Sequence, residues 1–122
     1  MRATPIPQSA RIAVRVRERL HCARCNIPLY SGHWHHRRSR SVRDQHTHHP
    51  CNGLWLCSTC HDWVHAHPFL ARPNGWIVLR SVAEPGAVPF RTPNGWRRPD
   101  CEGGGALVQA ACLEEAIEKF NA

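Results

Sequence analysis

Apolar positions along this chain come in short runs separated by polar and proline-containing stretches. Ile12, Val16 and Leu20 fall at i, i+4 and i+8, with Arg11, Arg15 and Arg19 on a neighbouring stripe. Ser9 stands where a cap would, so the spacing predicts a helix from 9 to about 20. Ile12, Val14 and Val16 also alternate, which leaves a strand open. Residues 27–38, with Tyr30, Ser31, Gly32 and Trp34, are compatible with a strand, and the polar stretch 39–50 reads as a loop ending in Pro50. Leu54-Trp55-Leu56 is a short apolar run. Residues 57–65 read as a knuckle opening a helix that ends near Pro68. Pro73-Asn74-Gly75-Trp76 recurs as Pro93-Asn94-Gly95-Trp96, and Asn-Gly is a tight-turn signal. One or two β-hairpins are expected over 72–98, with Ile77, Val78 and Leu79 as strand. Gly103-Gly104-Gly105 reads as a hinge before an amphipathic helix at 106–120, with Leu107, Ala110, Leu113, Ile117 and Phe120 on one stripe.

Composition adds a metal. A chain of 122 residues implies one domain with a modest core. Seven cysteines and ten histidines exceed what packing needs. No N-terminal segment has the apolar core of a signal peptide, and none is long enough to span a membrane. A reducing cytoplasm is therefore expected, where close cysteine pairs read as metal ligands.

Cys22-x-x-Cys25 and Cys57-x-x-Cys60 are two such pairs. Together they can present four thiolates to one structural Zn²⁺, a closed site with no position for water. Zinc there would tie the strand leading to His35 and His36 to the helix carrying His61 and His65. Cys51, Cys101 and Cys112 are left as ordinary thiols.

His61 and His65 stand at i, i+4 on one helix face and can grip one ion. His35 could be a third ligand, leaving open positions for water or a phosphate oxygen, and adjacent His36 could act as general base. His46, His48 and His49 read as a solvated loop, and His33 as a surface or outer-shell residue.

The order His35-His36-Arg37, then Asn52, then Cys57-x-x-Cys60-His61-x-x-x-His65 resembles the HNH endonuclease family. It looks closest to zinc-knuckle HNH proteins of actinobacterial phages, over roughly residues 10–80. The resemblance implies a small α+β fold: a ββα-metal (His-Me finger) module with a four-cysteine zinc site, an N-terminal helix, and a C-terminal hairpin and helix. The expected division is a leader at 1–8, a nuclease core at 9–71, and a hairpin region with a C-terminal helix at 72–122. By resemblance His36 is the general base, while His35, His61 and His65 hold a catalytic divalent metal. Asn52 either binds that metal or braces the loop so that a backbone carbonyl orients the base. Gly53 stands where the family usually has an apolar residue, and Arg38-Ser39-Arg40-Ser41 lacks the glycine-rich turn common in phage relatives.

Charge points the same way. The net charge is +7, and residues 1–43 carry ten arginines against one acid, Glu18. This favours a polyanionic partner, with DNA the first expectation. Arg37, Arg38, Arg40 and Arg43 follow the expected base and are the candidates for backbone phosphate contact. Arg11, Arg15, Arg17 and Arg19 are a candidate second contact face. Phosphate contacts carry no sequence information, so weak sequence preference is expected. Imidazole ligands favour Zn²⁺, Ni²⁺, Co²⁺ or Mn²⁺, with Mg²⁺ found in some relatives. Phage relatives imply a role beside a terminase. A non-catalytic zinc module that binds DNA or protein is the competing reading, and an RNA nuclease is a third.

Overall fold

The computed structural model describes residues 5–99 and the backbone of residues 105–107. It is a small α+β arrangement with two short antiparallel sheets. Helix α1 spans Gln8–Arg17, and strands β1 (His33–His36) and β2 (Gly53–Leu56) form the first sheet. Helices α2 (Ser58–Ala66) and α3 (Pro68–Ala71) follow. Strands β3 (Phe90–Thr92), β4 (Gly95–Pro99) and β5 (Gly105–Leu107) form the second sheet.

Helix α1 forms where the spacing placed it, but it turns a different face inward. Ala10, Val14 and Arg17 are buried, whereas Ile12 and Val16 are 48% and 66% exposed. The spacing i, i+4, i+7 is equally helical, and Arg17 completes it because its guanidinium finds partners inside. It donates to the carbonyls of Pro50 (2.8 Å) and Gly53 (2.6 Å) and to the Glu18 carboxylate (2.8 Å). Arg17 is therefore no part of a nucleic-acid face. The helix begins at Gln8 after Pro7, so Ser9 is not its cap. It stops because Arg19 and Leu20 both adopt positive φ (54° and 57°), which lets Leu20 N–H reach back to Arg15 O at 3.0 Å.

Strands β1 and β2 pair His33 with Leu56, Trp34 with Trp55, His35 with Leu54 and His36 with Gly53. Every residue of β2 is buried. Gly53 has a packing reason: a Cβ there would collide with the Trp34 indole, whose Nε1–H reaches Ala10 O at 3.1 Å. The small residue thus accommodates a large ring from the partner strand. Leu54, Leu56, Val64, Ala71, Trp76 and Phe90 form the core with Cys22, Ala23, Cys57 and Cys60.

The two Pro-Asn-Gly-Trp copies diverge. The second copy builds the β3–β4 hairpin, with Thr92 facing Gly95. The first is a 3₁₀ turn over Arg72–Asn74 closed by Gly75 at φ 73°. Ile77–Leu79 is not a strand; Val78 alone bridges Arg38. Gly105–Leu107 pairs with β4 as β5, so the expected helix does not begin at 106. The remainder of that expected helix, Cys101 and Cys112, and residues 1–4 lie outside the described residues. No helix among the described residues is long and apolar enough to cross a membrane.

Candidate metal centres and the cleft between β1 and α2

Cys57 caps helix α2, its Sγ accepting the Cys60 N–H at 3.4 Å, and Cys57 N–H donates to Cys22 Sγ at 3.4 Å. The tight turn after Cys22 returns Asn26 N–H to Cys22 O at 2.8 Å and puts Asn26 at φ 66°. Two knuckles thereby face each other, and the Sγ atoms of Cys22, Cys25, Cys57 and Cys60 all lie within 4.8 Å of one another. None of the four is in a disulfide. Four converging sulfurs with backbone N–H groups aimed at them suit a tetrahedral thiolate-bound ion such as zinc. Three of the sulfurs belong to buried residues, while Cys25 is exposed.

A second cluster draws on β1 and on α2 beyond Cys60. His35 is 2% exposed, and its ring nitrogens share a 4.8 Å cluster with those of His61 and His65. His35 Nε2 lies 2.7 Å from Trp76 O. A carbonyl can only accept, so Nε2 carries the proton and Nδ1 keeps the lone pair. His61 Nε2 and His65 Nε2 are 3.1 Å apart, a separation two bare lone pairs do not tolerate without a proton or an ion between them. His33 stacks flat on His61, with centroids 4.4 Å apart and planes 1° from parallel, and its Nε2 meets Ser58 Oγ at 3.2 Å. The i, i+2 spacing from His35 on a strand was the signal for that placement.

His36 lines the same cleft as His35, His61 and His65, a space of about 600 Å³ that Ser39, Arg40 and Ile77 also border. Its Nε2 lies 3.0 Å from His48 Nδ1. Burial pushes the His35 imidazole down to about 3, with a smaller lowering from the neighbouring charges. Burial, then Arg40 and His48, push His36 down to about 4. Both rings are therefore neutral at physiological pH.

No family model, curated protein or solved structure matches the chain.

Two of the expected phosphate contacts need correction. Arg37 is 1% exposed and spends its guanidinium on carbonyls: Gly75 (2.9 Å), Cys51 (3.0 Å), Pro85 (3.1 Å), Val88 (2.5 Å) and Pro89 (3.3 Å). Burial lowers it to about 9, so it stays charged. Arg38 is likewise 1% exposed, bonded to Val82 O (2.8 Å), Ala83 O (3.2 Å) and Asp44 (2.5 Å). Neither side chain can reach a phosphate; both pin the 72–90 segment and the 37–52 loop to β1. Asn52 is fully buried and its amide is consumed by that loop. Oδ1 accepts Arg38 N–H (2.7 Å), while Nδ2 donates to Thr47 O (3.0 Å) and Arg38 O (3.2 Å). Of the two roles expected of it, this is the brace. Arg40 and Arg43 are exposed.

Sequence reasoning missed His48, placed against His36 by the folded 37–52 loop, and the Trp76 carbonyl, which no side-chain pattern encodes. Cys51 is buried, as expected of an ordinary thiol.

Proposed function

We propose that the protein is a metal-dependent HNH-type endonuclease that hydrolyses DNA phosphodiester bonds on a ββα-metal module. One observation carries the reading: His35, His61, His65 and His36 open onto a single cleft, apart from a closed four-cysteine cluster. The hairpin β1–β2 followed by α2 is the arrangement that reading expects, and the order His-His…Asn…His-x-x-x-His supplies its residues.

His35 through Nδ1, with His61 and His65, would hold a divalent ion with positions left for oxygen ligands. When bound, that ion supplies Lewis-acid stabilisation of charge growing on the phosphate and the leaving oxygen. His36 is neutral, and in the tautomer whose Nε2–H donates to His48 Nδ1 it would keep its Nδ1 lone pair to take the proton of an attacking water. Arg40, on the cleft, and Arg43, exposed on the loop beyond β1, neutralise backbone phosphates. Such contacts give weak sequence preference and steep salt dependence. The imidazole set favours Zn²⁺, Ni²⁺, Co²⁺ or Mn²⁺ over Mg²⁺. The cysteine usage fits a cytoplasmic setting. A role beside a phage terminase rests on the resemblance alone.

The test is supercoiled plasmid incubated with the protein and each ion in turn, with a chelator control and a structured RNA in parallel. The expected result is metal-dependent nicking of the plasmid. Cleavage of RNA only would change the substrate. Binding of DNA without nicking under any ion would replace the enzyme with a zinc-based binding module.

A further inference from the structure

The cation beside the four-cysteine cluster belongs to none of the chemistry above. Arg24 sits within the first Cys-x-x-Cys knuckle, and its Nη1 donates to Cys60 Sγ at 3.4 Å, across to the second knuckle. The guanidinium is held in place from two directions. Its Cζ lies 4.0 Å from the Trp63 ring centroid and 4.9 Å from that of Trp76. The two indoles meet edge to face at 5.9 Å, so they form a corner around the cation. Arg24 Nε is buried and makes no hydrogen bond of its own. The planar cation, on a partly buried residue, therefore has two aromatic faces and one sulfur as its main company. An arginine left to choose would put its charge in water. This one is held against a ligand sulfur.

We infer that Arg24 is the outer-shell cation of the four-cysteine metal site, positioned by Trp63 and Trp76 to donate to the Cys60 thiolate and offset the site's negative charge. Four thiolates around a divalent ion leave a net charge of about −2 in a largely buried setting. A charge-assisted N–H···S bond lowers the donor strength of one sulfur and offsets part of the site's negative charge. The donor meets Cys60, so the effect falls on that sulfur. Arginine suits the role because its flat fork can stack and donate at once, which a lysine ammonium cannot. The inference concerns the structural site alone and stands whether or not the protein cleaves DNA.

The full-length protein is loaded with Co²⁺, and the sulfur-to-cobalt charge-transfer band is recorded. The three-histidine cluster has no sulfur and does not contribute to it. Zinc affinity at pH 7 is measured alongside by competition with a chromophoric chelator. For Arg24→Met the band is expected to move to lower energy, and zinc affinity to fall by about 10- to 100-fold. If Arg24→Met does not fold, the same band is read on Arg24→Lys, where a smaller shift in the same direction is expected. A band and an affinity equal to wild type in a folded Arg24→Met, or an unmoved band in Arg24→Lys when that variant is the one read, overturn the inference.

Discussion

His35 donates its Nε2 proton to the carbonyl oxygen of Trp76 across 2.7 Å, which leaves Nδ1 as the nitrogen that can meet an ion. The bond selects the tautomer and holds the ring, as outer-shell partners commonly do for a histidine that binds an ion. Its acceptor comes from residue 76, far along the chain, so the segment after α3 is part of the site's support.

The first prediction follows from that bond. His35→Ala should lose the ion at the three-histidine cluster and keep the one at the cysteines. Elemental analysis of protein loaded with zinc is expected to fall from about two ions per chain to about one. Two tightly held ions in the variant would remove His35 from the ligand set.

The cysteine site should govern folding. Apparent binding energies of structural zinc, about 10–16 kcal/mol in small zinc peptides, rival the whole stability of a domain of this size. Cys57→Ser removes one of the four sulfurs but leaves a side chain that can still cap α2, so the loss reports on the ion and not on the cap. Thermal melts by circular dichroism should show loss of the cooperative transition in the variant, and in wild type after chelation. A wild-type melting curve with no zinc bound would refute the structural role.

Arginines that look alike in sequence should behave oppositely. Arg37→Lys leaves several buried carbonyls short of a donor, each worth about 1–3 kcal/mol, so urea denaturation should show a loss of at least about 3 kcal/mol. Arg40→Ala should change stability by less than about 0.5 kcal/mol. It should instead weaken DNA binding and lower the slope of affinity against salt by about one unit. A destabilised Arg40→Ala together with a stable Arg37→Lys would reverse the assignment.

Acid should destabilise the fold through buried imidazoles. His35 is held near 3 and His36 near 4, against about 6.5 when unfolded. Below about 6.5 the unfolded chain binds protons that the folded chain refuses. The stabilisation is therefore fully present above that pH and is lost as pH falls toward 4 and then 3. His35 alone adds a slope of up to about 1.4 kcal/mol per pH unit there; half-buried His36 adds less. A bound metal acts with the same sign because it takes neutral imidazole. Urea midpoints should be flat from pH 8 to 7 and fall steadily from 6 to 4. A flat profile across the whole range would contradict the buried placement.

The cysteine and histidine clusters were legible in the sequence because their spacings are local: Cys-x-x-Cys makes a knuckle, and His61 and His65 share a helix face. The pairing of the two knuckles and the arrival of His35 were legible as expectations of closure. What was hidden depends on distant backbone. Arg17, Arg37 and Arg38 read as surface charge because arginine usually is, yet each meets carbonyls that loops bring to it. The same hairpin signal built a hairpin at residues 93–96 and a 3₁₀ turn at 73–76, where the Pro89 carbonyl lies against Gly75. Trp34 over Gly53 shows the converse, a gap in one strand filled from its neighbour.

In the proposed reaction His36 does chemistry beside a metal it does not hold. Single-turnover plasmid nicking by His36→Ala, with metal content measured on the same samples, tests it most directly. Occupancy of both metal sites is expected to be unchanged and the nicking rate lower by about 10²- to 10⁴-fold. Wild-type nicking by the fully loaded variant would contradict it.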